Sequence, residues 1–172
     1  MSREIAKEKN LVIINPYDAL ETIYGQGTAA YEVIHDANNP KLDNAIICAG
    51  GGGLTAGSCI SIKHINPQCN VFTAEPEEWN DHQLSFEKNE RVAMDTNRGG
   101  LCDGLLTPTP GEIPFAINTH FGVKGLSASD QAVCEAMRFA FNRLNLKLEP
   151  SGAVALACLL QNKEKFRGSR TL

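Results

Sequence analysis

Ala45-Ile46-Ile47-Cys48-Ala49-Gly50-Gly51-Gly52-Gly53-Leu54-Thr55-Ala56-Gly57 is the stretch on which the fold turns. Its first five residues are a short apolar run of the kind found in strands buried on both faces. From Leu54 to Ile65 the pattern predicts a helix. Between them stand consecutive glycines, which lack Cβ atoms and so can turn tightly and direct successive N–H groups inward. The helix that follows adds the positive end of its dipole, and the junction reads as a seat for a phosphate group. The other reading is a bare tight turn, although a glycine run costs folding entropy that packing alone rarely requires.

Downstream, Val71-Phe72-Thr73-Ala74 reads as the next strand, which completes a β-α-β unit. Strands joined by a helix of this length run parallel with a right-handed crossover. Upstream, Glu4 to Lys9 looks like the tail of a helix, Leu11-Val12-Ile13-Ile14 like a buried strand, and Asn15-Pro16-Tyr17-Asp18 like a loop. A further helix is predicted from Gln26-Gly27-Thr28 to about Ala37, with Thr28 near its cap and Ala29, Val33 and Ala37 on one face. Past Pro76 come a short helix near Asp81 to Asn89 and an ordered surface loop from Gly99 to Pro114. Ser127 and Asp130 have capping-box spacing before a helix through Val133, Met137 and Phe141 toward Leu144. Pro150 suits the first turn of a last helix reaching about Leu160, and the start of a strand is expected at Gly168 to Leu172. The expected architecture is α/β, an open and mainly parallel sheet with helices on both faces.

Composition narrows the function. With 172 residues, 42% hydrophobic and 21% charged, the chain can bury a real core. A net charge of -4 without a Lys/Arg run argues against nucleic acid or anionic lipid as partner. No apolar stretch approaches the roughly 20 residues of a membrane span, and Met1-Ser2-Arg3-Glu4 does not open a signal peptide, so the expected location is cytoplasmic. The six cysteines, Cys48, Cys59, Cys69, Cys102, Cys134 and Cys158, show no C-x-x-C spacing and read as reduced thiols. His35, His64, His82 and His120 form no metal-binding pair and read as surface or structural residues.

Two alternatives stay open. Gly51-x-Gly53-x-x-Ala56 also fits the dinucleotide fingerprint in its alanine-ending form, with Glu75 at the end of the next strand where a ribose would bind. That would make the chain a nicotinamide-dependent dehydrogenase module. A non-catalytic phosphate-binding module would use the same loop. Separately, Glu75 and Asp81 lie six positions apart across a turn, so they can converge on one hard cation with a backbone carbonyl between them, or stand apart as solvated acids.

The segments Tyr24-Gly25-Gln26-Gly27-Thr28, Gly50-Gly51-Gly52-Gly53-Leu54-x-Ala56-Gly57, Ala74-Glu75-Pro76, Asp103-Gly104 and Leu148-Glu149-Pro150-Ser151-Gly152-Ala153 follow one another in register, and nearly the whole chain resembles the serine/threonine dehydratase and serine racemase family. The resemblance implies a fold type II pyridoxal-phosphate enzyme, a lyase that converts L-threonine or L-serine to a 2-oxo acid and ammonia, homodimeric when intact. It implies that residues 1–10 end a small domain and that residues 11–172 are part of the large one, truncated at both ends. Gly50, Gly51, Gly52, Gly53 and Leu54 would hold the phosphate of pyridoxal 5'-phosphate, and Gly104 would lie near its ring, with Cys102 where alanine is common. Glu149 matches a glutamate at the pyridine end; its other reading is a helix-start acid. Some family members hold a divalent ion, Mg or Ca, at the positions of Glu75, Asp81 and the carbonyl of Trp79. The family's cofactor-binding lysine lies in a segment absent here, and Lys124-Gly125 aligns with a loop far from it, so no catalytic residue is expected and the chain alone is predicted inactive.

Overall fold

A computed structural model describes residues 2–36 and 41–172; Ala37 lies outside them. Strands β1 (Asn44–Cys48), β2 (Asn70–Pro76) and β3 (Lys124–Ala128) form one sheet in the order β1-β2-β3. Both pairings are parallel, with Ile46 opposite Phe72 and Ala74 opposite Leu126. The strand expected at the end of the chain begins as foreseen. Thr171 bridges to Asn44, and Ile46 N–H donates to the Leu172 carbonyl at 2.8 Å, on the side of β1 away from β2.

Helices cover both faces because the alternate residues of each strand are apolar. One face carries Ile46, Phe72, Ala74 and Leu126 against Val133 and Ala136 of α6 (Asp130–Phe139) and Val154, Ala157 and Cys158 of α7 (Pro150–Gln161). On the other, Ala45 and Val71 pack with Cys59 and Ile62 of α3 (Gly53–Ile65) and with Ala30 and Ile34 of α2 (Leu20–Asp36). The remaining helices are α1 (Ser2–Glu8), α4 (Asp81–Lys88), α5 (Glu112–His120) and α8 (Lys163–Phe166).

Helices α2 and α3 meet on glycine. A Cβ on Gly27 would come within 2.6 Å of the Gly57 carbonyl oxygen, and the Ser61 hydroxyl donates to the Gly27 carbonyl at 2.8 Å. This contact explains why α2 runs through Gly25 and Gly27 and starts at Leu20, ahead of the expected Gln26. Thr28 is therefore no cap; its hydroxyl donates to the Gly25 carbonyl inside the helix. The face bearing Ala29 and Val33 is exposed, and the buried stripe is Ile23, Gly27, Ala30 and Ile34.

Other expectations need correction. Leu11 to Ile14 forms no strand and is exposed, with Val12 at 90%. An extended segment needs a partner for its backbone, and the outer side of β1 is taken by residues 170–172. Helix α5 starts inside the stretch read as loop, since Pro114 lies in its first turn where a missing N–H costs nothing. Strand β3 contains Ser127, so the cap of α6 falls to Ser129, whose hydroxyl accepts from Ala132 N–H at 3.3 Å. Lys124 is exposed as expected but opens β3 and is not in a loop. Helix α6 passes into a π turn over Ala140–Leu144 that stops at Asn145 in the left-handed region.

Candidate functional site

The strand β1 delivers the glycine loop to the mouth of α3. Each loop carbonyl has a partner. Gly50 C=O accepts from the His82 ring at 2.9 Å, Gly51 C=O from Gly111 N–H at 3.0 Å, and Gly52 C=O from Ala56 N–H at 2.9 Å. Among the described residues every peptide bond is trans, so the N–H that follows each of these carbonyls points the opposite way. The N–H groups of Gly51, Gly52 and Gly53 thus face away from those anchors, and among the described residues none finds a backbone acceptor. No side chain caps α3, whose first amides add to the set. Gly52 makes the turn at φ 88°, where a side chain would be strained.

These groups open onto a cavity of about 390 Å³, whose wall includes Gly50 to Gly53, Leu54, Gly104 and Thr107. Pro16, Tyr17, Gln26, Cys48 and Leu105 complete it. The Tyr17 ring packs where a Cβ of Gly51 would lie, and a Cβ on Gly53 would come within 2.9 Å of Tyr17 Cα. Next to it, Asp18 caps α5 from a distance in sequence: its carboxylate accepts from Glu112 N–H at 3.1 Å and Ile113 N–H at 2.9 Å. Gly104 N–H donates to Ser151 Oγ at 3.0 Å, which fixes the short 3-10 turn Asp103–Leu105 against α7.

Of the residues singled out in the sequence, the fold gathers Gly50, Gly51, Gly52, Gly53, Leu54 and Gly104 on one wall. Glu149 is not on it. It is exposed at the start of α7; further along that helix the Cys48 thiol donates to the Gly152 carbonyl at 3.9 Å. Tyr17, Gln26, Cys48, Thr107 and His82 were not foreseen in this role. Tyr17, Gln26, Thr107 and His82 reach the loop from segments distant in sequence, so local patterns carry no sign of them; Cys48 precedes the loop at the end of β1. The wall bears no lysine, histidine or carboxylate among the described residues. Burial raises the pKa of the Cys48 thiol, which keeps it protonated. The arrangement can hold an anion; it offers no ready base.

Glu75 and Asp81 are not solvated acids. Glu75 is 0% exposed, and its two oxygens accept from His82 N–H at 2.7 Å and Gln83 N–H at 2.9 Å. Asp81 is 1% exposed, and among the described residues neither of its oxygens has a hydrogen-bond partner. Burial raises the pKa of both, that of Asp81 to about 7, and the neighbouring Asp81 charge raises Glu75 further. Burial also lowers His82 to about 4, so its ring is neutral and Nε2 carries the proton donated to Gly50. Orphaned buried carboxylate oxygens fit a hard cation. Among the described residues no cluster of three or more acidic, His or Cys ligands exists, so a third oxygen would be a carbonyl. Trp79 is buried with its indole N–H donating to the Gly99 carbonyl at 3.3 Å. A Glu75 with no exposed surface cannot meet a ribose, which removes the dinucleotide reading.

A family model described as "Pyridoxal-phosphate dependent enzyme" matches residues 1–172. The chain is 36% identical over 170 residues to a serine racemase of Schizosaccharomyces pombe, covering 99% of this chain and 52% of that one. It is 34% identical to an L-threo-3-hydroxyaspartate ammonia-lyase of Saccharomyces cerevisiae, covering 99% and 51%. Among solved structures, a serine racemase from Dictyostelium discoideum superposes with a TM-score of 0.87 at 32% identity, covering 99% of this chain and 54% of that one. A threonine deaminase superposes with a TM-score of 0.94 at 31% identity, covering 99% and 58%. The chain spans about half the length of the curated relatives it matches. No helix among the described residues is long and apolar enough to cross a membrane.

Proposed function

Since this chain belongs to the family of pyridoxal-phosphate-dependent enzymes, we propose that its glycine loop seats the phosphate of pyridoxal 5'-phosphate in an ammonia-lyase acting on a β-hydroxy amino acid such as L-threonine or L-serine. The observation that carries this reading is the orientation of the loop: carbonyls tied into the protein, amides of Gly51 to Leu54 left free at a helix start. A dianionic ester is what such a set of donors satisfies. The cradle also fits by shape, since glycine is needed where Tyr17 and His82 press against the loop.

When bound, the cofactor supplies a ring that withdraws electrons from the amino acid's α-carbon. This chain's residues anchor and orient. Gly50, Gly51, Gly52, Gly53 and Leu54 would hold the phosphate end, Gly104 would bound the ring's place, and Glu149, exposed at the start of α7, would serve the pyridine end in the whole enzyme. Glu75, Asp81 and the Trp79 carbonyl would hold a Mg or Ca ion, whose charge would neutralise the buried acid pair. Residues 1–10 end the small domain and residues 11–172 form part of the large one. The lysine that binds the cofactor covalently belongs to a preceding segment, so this chain alone is inactive; the whole enzyme works as a homodimer in the cytoplasm. The names of the relatives, which include ammonia-lyases and racemases, support the amino-acid substrate class.

Equilibrium dialysis of the chain with pyridoxine 5'-phosphate and with pyridoxine tests the seat, because neither ligand has an aldehyde to react with surface lysines. Preference for the phosphorylated ligand, abolished by Gly52→Asp, is expected. Equal binding of both ligands would remove the proposal. A second reading, a phosphate-binding module without catalysis, draws on the bare cavity wall. Joining the chain to the N-terminal half of a relative separates the two: ammonia release from L-threonine or L-serine supports the lyase, and tight cofactor binding without release supports the module.

A further inference from the structure

We propose that His82 is the positioning residue of the anion seat, the side chain that sets the direction in which the first loop amide points. This rests on the phosphate-seat reading. Linkages between glycines flip their peptide planes easily, because no Cβ opposes either orientation. A loop of four glycines therefore presents a defined set of donors only if its carbonyls are held from outside. Two of the three holds are backbone amides, those of Gly111 and Ala56. The third is the ring of His82, donating to Gly50 C=O at 2.9 Å. With that carbonyl drawn toward α4, the trans peptide turns Gly51 N–H to the opposite side, where the anion would sit.

The ring is itself held from several directions. His82 is 0% exposed in the first turn of α4, where its backbone N–H donates to Glu75 at 2.7 Å. Phe86 lies one turn along at 5.8 Å between ring centroids, and Phe86 stacks on Phe115 of α5 at 6.0 Å. On the loop side, a Cβ on Gly52 would come within 2.8 Å of His82 Nε2, so the ring also forms the floor under the left-handed glycine. One side chain thus supplies a donor to Gly50 and a wall to Gly52 while contributing nothing to the cavity surface. A packing histidine would supply only the wall.

Two variants separate donor from wall. His82→Phe keeps an aromatic wall and removes the donor; His82→Gln restores an N–H donor at similar reach. In the folded 172-residue chain, His82→Phe is expected to weaken pyridoxine 5'-phosphate binding about tenfold, the scale of one lost hydrogen bond, with pyridoxine binding unchanged. His82→Gln should recover most of that loss. If both variants bind like wild type, or both lose equally while melting at the wild-type temperature, the donor has no positioning role and the proposal is overturned. Should His82→Phe fail to fold, the 15N spectrum of wild-type imidazole decides: a slowly exchanging Nε2–H whose resonance moves on adding the phosphorylated ligand supports the assignment, and a bare Nε2 refutes it. Absence of any preference for the phosphorylated ligand in wild type would instead remove the seat itself.

Discussion

Gly52 concentrates the constraints that single residues place on this site. Its φ of 88° and the ring of His82 against it leave no room for a Cβ. Gly52→Ala is expected to destabilise the fold by about 1–3 kcal/mol, read as a fall in the denaturant midpoint. Asp18 makes a different prediction. It caps α5 through two amides, so Asp18→Ala should lower stability by about 1 kcal/mol and loosen the Gly111 hold on the loop. Asp81 contributes to the pH response: folding raises its pKa from 3.8 to about 7, so the folded chain keeps a proton that the unfolded chain releases. Stability from this group is full below about pH 4 and declines as the pH rises to 7, by up to about 4 kcal/mol. Glu75 adds to this decline and His82 opposes it over the same interval, so the comparison isolates Asp81: in urea titrations wild type should lose stability relative to Asp81→Asn between pH 4 and 7, and a difference that stays constant would contradict the assignment. At this scale the sequence showed the glycine run plainly, because four adjacent residues spell it. It carried no sign of Tyr17, Asp18 or His82 at the site, since their partners are 32 to 95 positions away or touch only through packing.

Elements that alternate cleanly were legible, and those that do not were missed. β1, α3 and β2 follow from apolar runs and a glycine break, and α7 from Pro150 at its start. Strand β3, Lys-Gly-Leu-Ser-Ala, has no β-branched residue and stays a strand because β2 offers a full parallel partner. Helix α5 hides behind prolines, and the first turns of α2 behind glycines that are present for close approach to α3, so only its part from Gln26 on was expected. Leu11 to Ile14 shows the reverse failure, an apolar run with no strand to pair with. The α2–α3 contact yields a test: Gly57→Ala must push the helices apart, and should cost more stability than the same change at Gly25, where a Cβ meets nothing. The turn between β2 and α4 yields another. If Glu75 and Asp81 hold a divalent ion, millimolar Mg or Ca will raise the melting temperature at pH 7.5 and leave Asp81→Asn unmoved. Equal effects on both proteins would mean the ion acts elsewhere.

Taken as a whole molecule, the chain is a three-stranded parallel sheet with helices on both faces and a recess of about 390 Å³ at the carboxyl end of its first strand. Apolar surface also remains open at Val12, Ile14, Tyr24 and Phe141. Patches of that kind favour association, so light scattering should show self-association rising with concentration, reduced by Val12→Ser with Ile14→Ser. The expected class of architecture was readable from the alternation of strands and helices. The anchoring of the loop was not, because it depends on which way three carbonyls turn. That direction is what an amide spectrum reports. In a 1H–15N titration with pyridoxine 5'-phosphate, the resonances of Gly51, Gly52, Gly53 and Leu54 are predicted to move downfield together and saturate, while those of Gly99 and Gly168 stay in place. Saturable binding that leaves the loop amides unmoved, or moves residues of another surface, would contradict the account.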